Sequence, residues 1–73
     1  MDTTFNGWAS YQTWNVSLYI QNEYPLYQLG RTCASYREFL DESGLEGTVT
    51  PDGVSWTDPD LDTDELDEML QEL

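Results

Sequence analysis

Seventy-three residues carry fifteen Asp and Glu against two arginines, with no lysine and no histidine, for a formal net charge of −13. A chain this short makes one domain with a marginal core, and its charge argues against direct binding to nucleic-acid phosphate or an anionic bilayer. A single cysteine without histidine removes any internal disulfide and every zinc site built on thiolate or imidazole.

The charge is segregated. Residues 1–37 balance Asp2 and Glu23 against Arg31 and Arg37, while residues 38–73 hold thirteen carboxylates and no basic residue. Such a block marks either a surface adapted to concentrated salt or an acidic face meant for a basic partner. Apolar residues at 38% and aromatics at 14% are too many for a disordered chain. No apolar run approaches the length of a membrane span, and Met1-Asp2-Thr3-Thr4 lacks the basic start of a signal peptide, so a soluble, cytoplasmic setting is expected.

Along the chain, Asn6-Gly7 is a turn signal followed by a large anchor, Trp8. From Ser10 to Asn22, Trp14, Val16, Leu18 and Ile20 alternate as in a strand, but Tyr11, Trp14 and Leu18 also fall at helical spacing behind Ser10 as N-cap. The uninterrupted length favours a helix over about 10–22. Its aromatics, with Trp8 before them, read first as core; the alternative is a contact surface anchored on Trp8, Tyr11 and Trp14.

Leu26, Leu29, Cys33, Tyr36 and Leu40 recur at steps of three and four, predicting one amphipathic helix over about 25–43, with Pro25 in its first turn and Gly44 as its left-handed stop. Gly30 lies inside that helix, where it costs up to about 1 kcal/mol relative to alanine; close approach of another backbone or a Trp ring would explain it. Cys33, on the apolar stripe, reads as a small core residue rather than a reactive thiol. Arg31 and Arg37 are expected to pair with nearby carboxylates.

Residues 45–61 are connecting structure, with Thr50-Pro51-Asp52-Gly53 as a tight turn in a very short hairpin and Trp56 packed back on the helices. A final helix over about 62–73 starts at Asp62 as N-cap, with Glu65 as capping-box partner and Leu61 stapled to Leu66. Leu66, Met69, Leu70 and Leu73 form its apolar stripe, available to the other helices or to a second copy of the chain. Like charges at i, i+4, Asp64 with Glu68 and Glu68 with Glu72, weaken it at low salt, so salt or a cationic partner should strengthen it. The expected fold is mainly α: a small three-helix domain with a short loop or hairpin before an acidic C-terminal helix.

Catalytic chemistry finds little support. The Asp58-to-Asp64 run imitates a calcium loop, but Thr63 stands at its glycine position and Met69 at its bidentate glutamate position. Without His or Lys, a Ser or Cys nucleophile lacks its usual activator. Acids crowded on one short helix also lack opposed cleft walls. No enzyme, cofactor or metal site is expected, and the sequon Asn15-Val16-Ser17 has no meaning without secretion.

The stretch Asn6-Gly7-Trp8-Ala9-Ser10-Tyr11-Gln12-Thr13-Trp14-Asn15-Val16, continued by Leu18-Tyr19-Ile20, resembles a motif of small uncharacterised proteins of phages, plasmids, bacteria and haloarchaea, approximately N-G-W-x-N-Y-x-T-W-x-V. Ser10 stands where Asn is common, a swap that keeps N-cap chemistry. Pro51-Asp52-Gly53-Val54-Ser55-Trp56 and the Asp-rich final helix are similar to the same proteins. The resemblance implies a mobile-element or halophile setting and brings no activity or site residue with it.

The function these features favour is a non-enzymatic acidic binding protein, an inhibitor that mimics nucleic acid toward a basic protein partner. Its acidic face would comprise Asp58, Asp60, Asp62, Asp64, Glu65, Asp67, Glu68 and Glu72. Six carboxylates from Asp62 to Glu72 give about 3 Å per charge, close to the ~3.4 Å per phosphate of one DNA strand. The alternative is a salt-adapted structural module that self-associates through Leu66, Met69, Leu70 and Leu73.

Overall fold

A computed structural model describes residues 5–73; Met1–Thr4, on which the expected lack of a signal peptide rests, lie outside them. Four α-helices follow in order: α1 (Tyr11–Asn22), α2 (Tyr24–Gly30), α3 (Tyr36–Ser43) and α4 (Thr63–Gln71). The main contacts run α1 to α2, α2 to α3, α3 to α4 and α4 back to α1, closing a ring. The domain is mainly α as expected, with four helices in place of three.

The extra helix comes from a break in the expected 25–43 segment. Gly30 ends α2, and Thr32 turns both its backbone N–H and its hydroxyl back onto the Leu29 carbonyl. Ser35 then caps α3 by accepting from Glu38 N at 3.2 Å, and Glu38 reaches back to Ala34 N at 3.4 Å. Ser35-Tyr36-Arg37-Glu38 is a capping-box sequence, and it overrides the continuous apolar stripe. The stripe still faces inward across the break. Cys33, Tyr36 and Leu40 are buried, and Leu26 and Leu29 pack against them.

Gly30 is buried against leucines, not against a backbone or a Trp ring. A Cβ there would lie 2.8 Å from Leu73 Cδ1 and 3.0 Å from Leu70 Cδ2. Its missing side chain lets the end of α2 close onto α4. Gly44 stops α3 in the left-handed conformation, donating to Leu40 O.

The core joins Val16 and Ile20 of α1, Tyr36, Phe39 and Leu40 of α3, Val54 and Trp56 of the connection, and Leu66, Met69 and Leu70 of α4. Trp56, 2% exposed, packs back on the helices, and the Tyr36 hydroxyl donates to its carbonyl at 2.6 Å. The hairpin before it is a stub. Thr50 N donates to Val54 O, Gly53 N to Thr50 O, and one antiparallel bridge joins Val49 to Ser55. With Gly53 at φ 87°, this is a three-residue loop closed by a left-handed glycine.

Along α1 the aromatic expectation is inverted. Tyr11 is 41% exposed and Trp14 is half-buried, while Thr13, Asn15 and Ser17 are buried. Polar side chains hold these interior positions because each is bonded: Thr13 to Ser10 and Asp62, Asn15 to Thr50 and Asp52, Ser17 to Trp14 O. No buried polar side-chain atom lacks a partner among the described residues.

Candidate functional site: the acidic helix and its groove

The N-terminal segment is built to hold α4. Asn6 (φ 49°) and Gly7 (φ 87°) form a two-residue turn with both φ positive, closed by reciprocal bonds between Phe5 and Trp8 at 2.8 Å. Asn and Gly are among the few residues that enter that conformation at low cost. The turn sets Ala9 N to donate to Glu65 Oε1 at 2.8 Å. One turn on, Ser10 Oγ accepts from Thr13 N as the N-cap of α1 and donates to Asp60 O. Its single proton is thereby committed, so in the 2.8 Å contact between the two hydroxyls Thr13 is the donor. Thr13 Oγ1 in turn accepts from Asp62 N at 2.9 Å.

This arrangement opens the expected capping box. Asp62 does accept from Glu65 N at 3.1 Å, but the Glu65 carboxylate goes to Ala9 and the Asp62 N–H goes to Thr13. Asp67 crosses to α3, where it accepts from Tyr36 N at 2.7 Å. A carboxylate at a helix N-terminus meets the positive end of the dipole and an unpaired N–H. Asp58 accepts from Asp60 N in a local turn.

The eight expected acidic-face residues therefore divide. Asp58, Asp62, Glu65 and Asp67 are engaged in backbone capping and are only partly exposed. Asp60, Asp64, Glu68 and Glu72 are exposed, and none of these carboxylates bonds another described residue. Asp64, Glu68 and Glu72 stand at i, i+4 and i+8, one stripe along α4 with a charge about every 6 Å. The closer, phosphate-like spacing held only while the capping carboxylates were included.

Elsewhere the acids are also employed. Asp52 Oδ2 accepts from Asn15 Nδ2 at 2.7 Å and from the Tyr19 hydroxyl at 3.1 Å, fixing the hairpin loop to α1. Arg37 is held by Asp41 at 2.6 Å and Glu46 at 2.7 Å. Those are the ion pairs among the described residues. Arg31, expected to pair likewise, instead lies 5.7 Å from the centre of the Tyr27 ring.

Between the Asn6-Gly7 turn and α4 runs a groove of about 390 Å³. Trp8, Met69 and Leu73 supply its apolar lining, and Glu65, Glu68 and Glu72 its carboxylates. Trp8 is half-buried against the core. Tyr11 and Trp14 lie elsewhere, clustered with Phe5 at ring separations of 4.8 to 5.7 Å. The three aromatics expected as one contact surface are thus split between two places.

Of the stripe Leu66, Met69, Leu70 and Leu73, the first three are buried in the chain's own core and would face a second copy only if the fold opened, while Leu73 is half-buried. Cys33 is buried, and burial pushes its thiol pKa up, the opposite of an activated nucleophile. Among the described residues, no three His, Cys, Asp or Glu side chains converge as metal ligands, and no helix is long and apolar enough to cross a membrane.

Fold and groove together describe a small mainly α domain whose acidic C-terminal helix is clamped by an N-terminal turn. The chain belongs to a family of unknown function, DUF7249, which it matches over residues 1–73. Neither a curated protein nor a solved structure matches it.

Proposed function

We propose that this chain is a non-enzymatic binding protein whose acidic α4 engages a basic protein partner, competing there with nucleic acid. A cytoplasmic setting and an origin in a virus or mobile element belong to the same proposal. The observation that carries it is the stripe Asp64, Glu68 and Glu72: exposed, mutually repulsive along one helix face, and without a cation among the described residues. Each like-charge pair costs a few tenths of a kcal/mol, roughly 0.2–0.5, in an isolated helix. A basic partner converts that cost into attraction.

The test is displacement of a labelled DNA duplex from a linker histone, used as a basic DNA-binding probe, at increasing salt. The chain should displace the duplex at low salt and lose its hold on the histone at molar salt. Replacing Asp64, Glu68 and Glu72 with Asn, Gln and Gln should abolish displacement while leaving the fold intact. Failure of the unmodified chain to displace the duplex, with a fold that tightens as salt rises, would favour the salt-adapted structural module instead.

A further inference from the structure

The groove beside α4 shares Glu68 and Glu72 with the exposed stripe and adds Glu65 and an apolar wall to them. At about 390 Å³ it lies at the small end of ligand pockets, which span roughly 300–1,000 Å³. Its carboxylates come from Glu65, Glu68 and Glu72, at steps of three and four along one helix face, and its apolar lining from Trp8, Met69 and Leu73. Glu65 gives one oxygen to Ala9 N, which leaves the other without a described partner. Glu68 and Glu72 repel each other at i, i+4. No cation among the described residues lines the groove, whereas a second groove of similar size, by Tyr36, Trp56 and Leu61, includes Arg37.

A ligand complementary to this lining needs a positive head and an apolar stem. We propose that the groove seats one arginine or lysine side chain of the basic partner, its stem against Trp8, Met69 and Leu73 and its head beside the glutamates that line the groove. This rests on the basic-partner reading above and adds a fixed point of contact to it. Arginine suits the site best, since its planar cation can lie over the indole face and bond carboxylates in the same pose. The apolar part of the contact persists in salt that screens the stripe.

The test titrates isotope-labelled protein with an acetylated hexaarginine peptide and follows it by NMR. Saturable shifts of the Trp8 indole N–H and the Met69 methyl, together with the Glu68 and Glu72 amides, are expected. Two charge-matched variants separate groove from stripe. Gln21 lines the groove and Gln71 does not, and both are exposed. Gln21→Lys places a resident cation in the groove and should raise Kd about tenfold, whereas Gln71→Lys, adding the same charge at an exposed site, should raise it about twofold or less. Equal effects of the two variants, or saturable binding that leaves Trp8 and Met69 unshifted, would overturn the groove while leaving the basic-partner reading standing. No saturable shift anywhere at low salt would overturn both.

Discussion

Thr50 shows at the scale of one residue how this small domain keeps polar groups inside. Its hydroxyl donates to Asn15 Oδ1 at 2.7 Å and accepts from Val54 N at 3.2 Å, and Asn15 passes the connection on to Asp52. Thr50→Val preserves shape but strands the Asn15 oxygen, so a loss of about 2–3 kcal/mol is expected in chemical denaturation. A loss under about 0.5 kcal/mol would mean that Asn15 finds another donor. Arg37 with Asp41 gives the pH counterpart. The hydrogen bond from Arg37 holds the Asp41 carboxyl below its ordinary 3.8. A depressed folded-state pKa contributes stability that is complete above the unfolded value and vanishes as pH falls through the folded one. The wild-type chain should therefore exceed Asp41→Asn in stability at neutral pH, and the gap should close as pH drops below 3.8. A gap that persists at lower pH would exclude the ion pair as its source.

At the scale of elements, α4 is where local preference and charge conflict. Asp62, Asp64 and Glu65 favour its start, while Asp64, Glu68 and Glu72 repel along its length and Glu72 meets the negative end of the dipole. Helical circular dichroism should rise from low to molar salt. A spectrum unchanged across that range would mean that burial of Leu66, Met69 and Leu70 fixes α4 regardless of its charges. The caps of α1 and α4 were legible in the sequence because a cap is a local pattern: Ser10 and Asp62 act where expected. The break before α3 was equally local, written in Ser35 and Glu38, but the apolar stripe running through it suggested one helix. Burial was right and backbone wrong, since a buried linker residue such as Cys33 keeps the stripe's phase without the helix.

For the molecule as a whole, the sequence conveyed the mainly α class and the charge asymmetry, but not what the charges do. Eight of the thirteen carboxylates beyond residue 37 bond a described partner, leaving Glu42, Asp60, Asp64, Glu68 and Glu72. Bonds such as Ala9 to Glu65 and Tyr36 to Asp67 join residues far apart in the chain, and no periodicity announces them. The groove was hidden for the same reason, since Trp8 and Glu72 come to line one groove only once the ring is closed. The swap of Tyr11 and Trp14 for Thr13 and Asn15 as interior residues also lay beyond reach. A polar residue earns an inside position only through partners that the fold supplies.

The ring of helices sets a timetable for synthesis. Residues 9–13 are tied to residues 60–65, so the first helix made waits for the last. At about 5–20 residues per second a ribosome needs roughly 2–10 s to pass from one to the other. Through that interval Val16 and Ile20 lack their cover from Leu66 and Leu70, and Thr13 lacks the Asp62 N–H. The nascent chain is thus an open arc, and the domain becomes a folded protein only when α4 arrives to join its two ends.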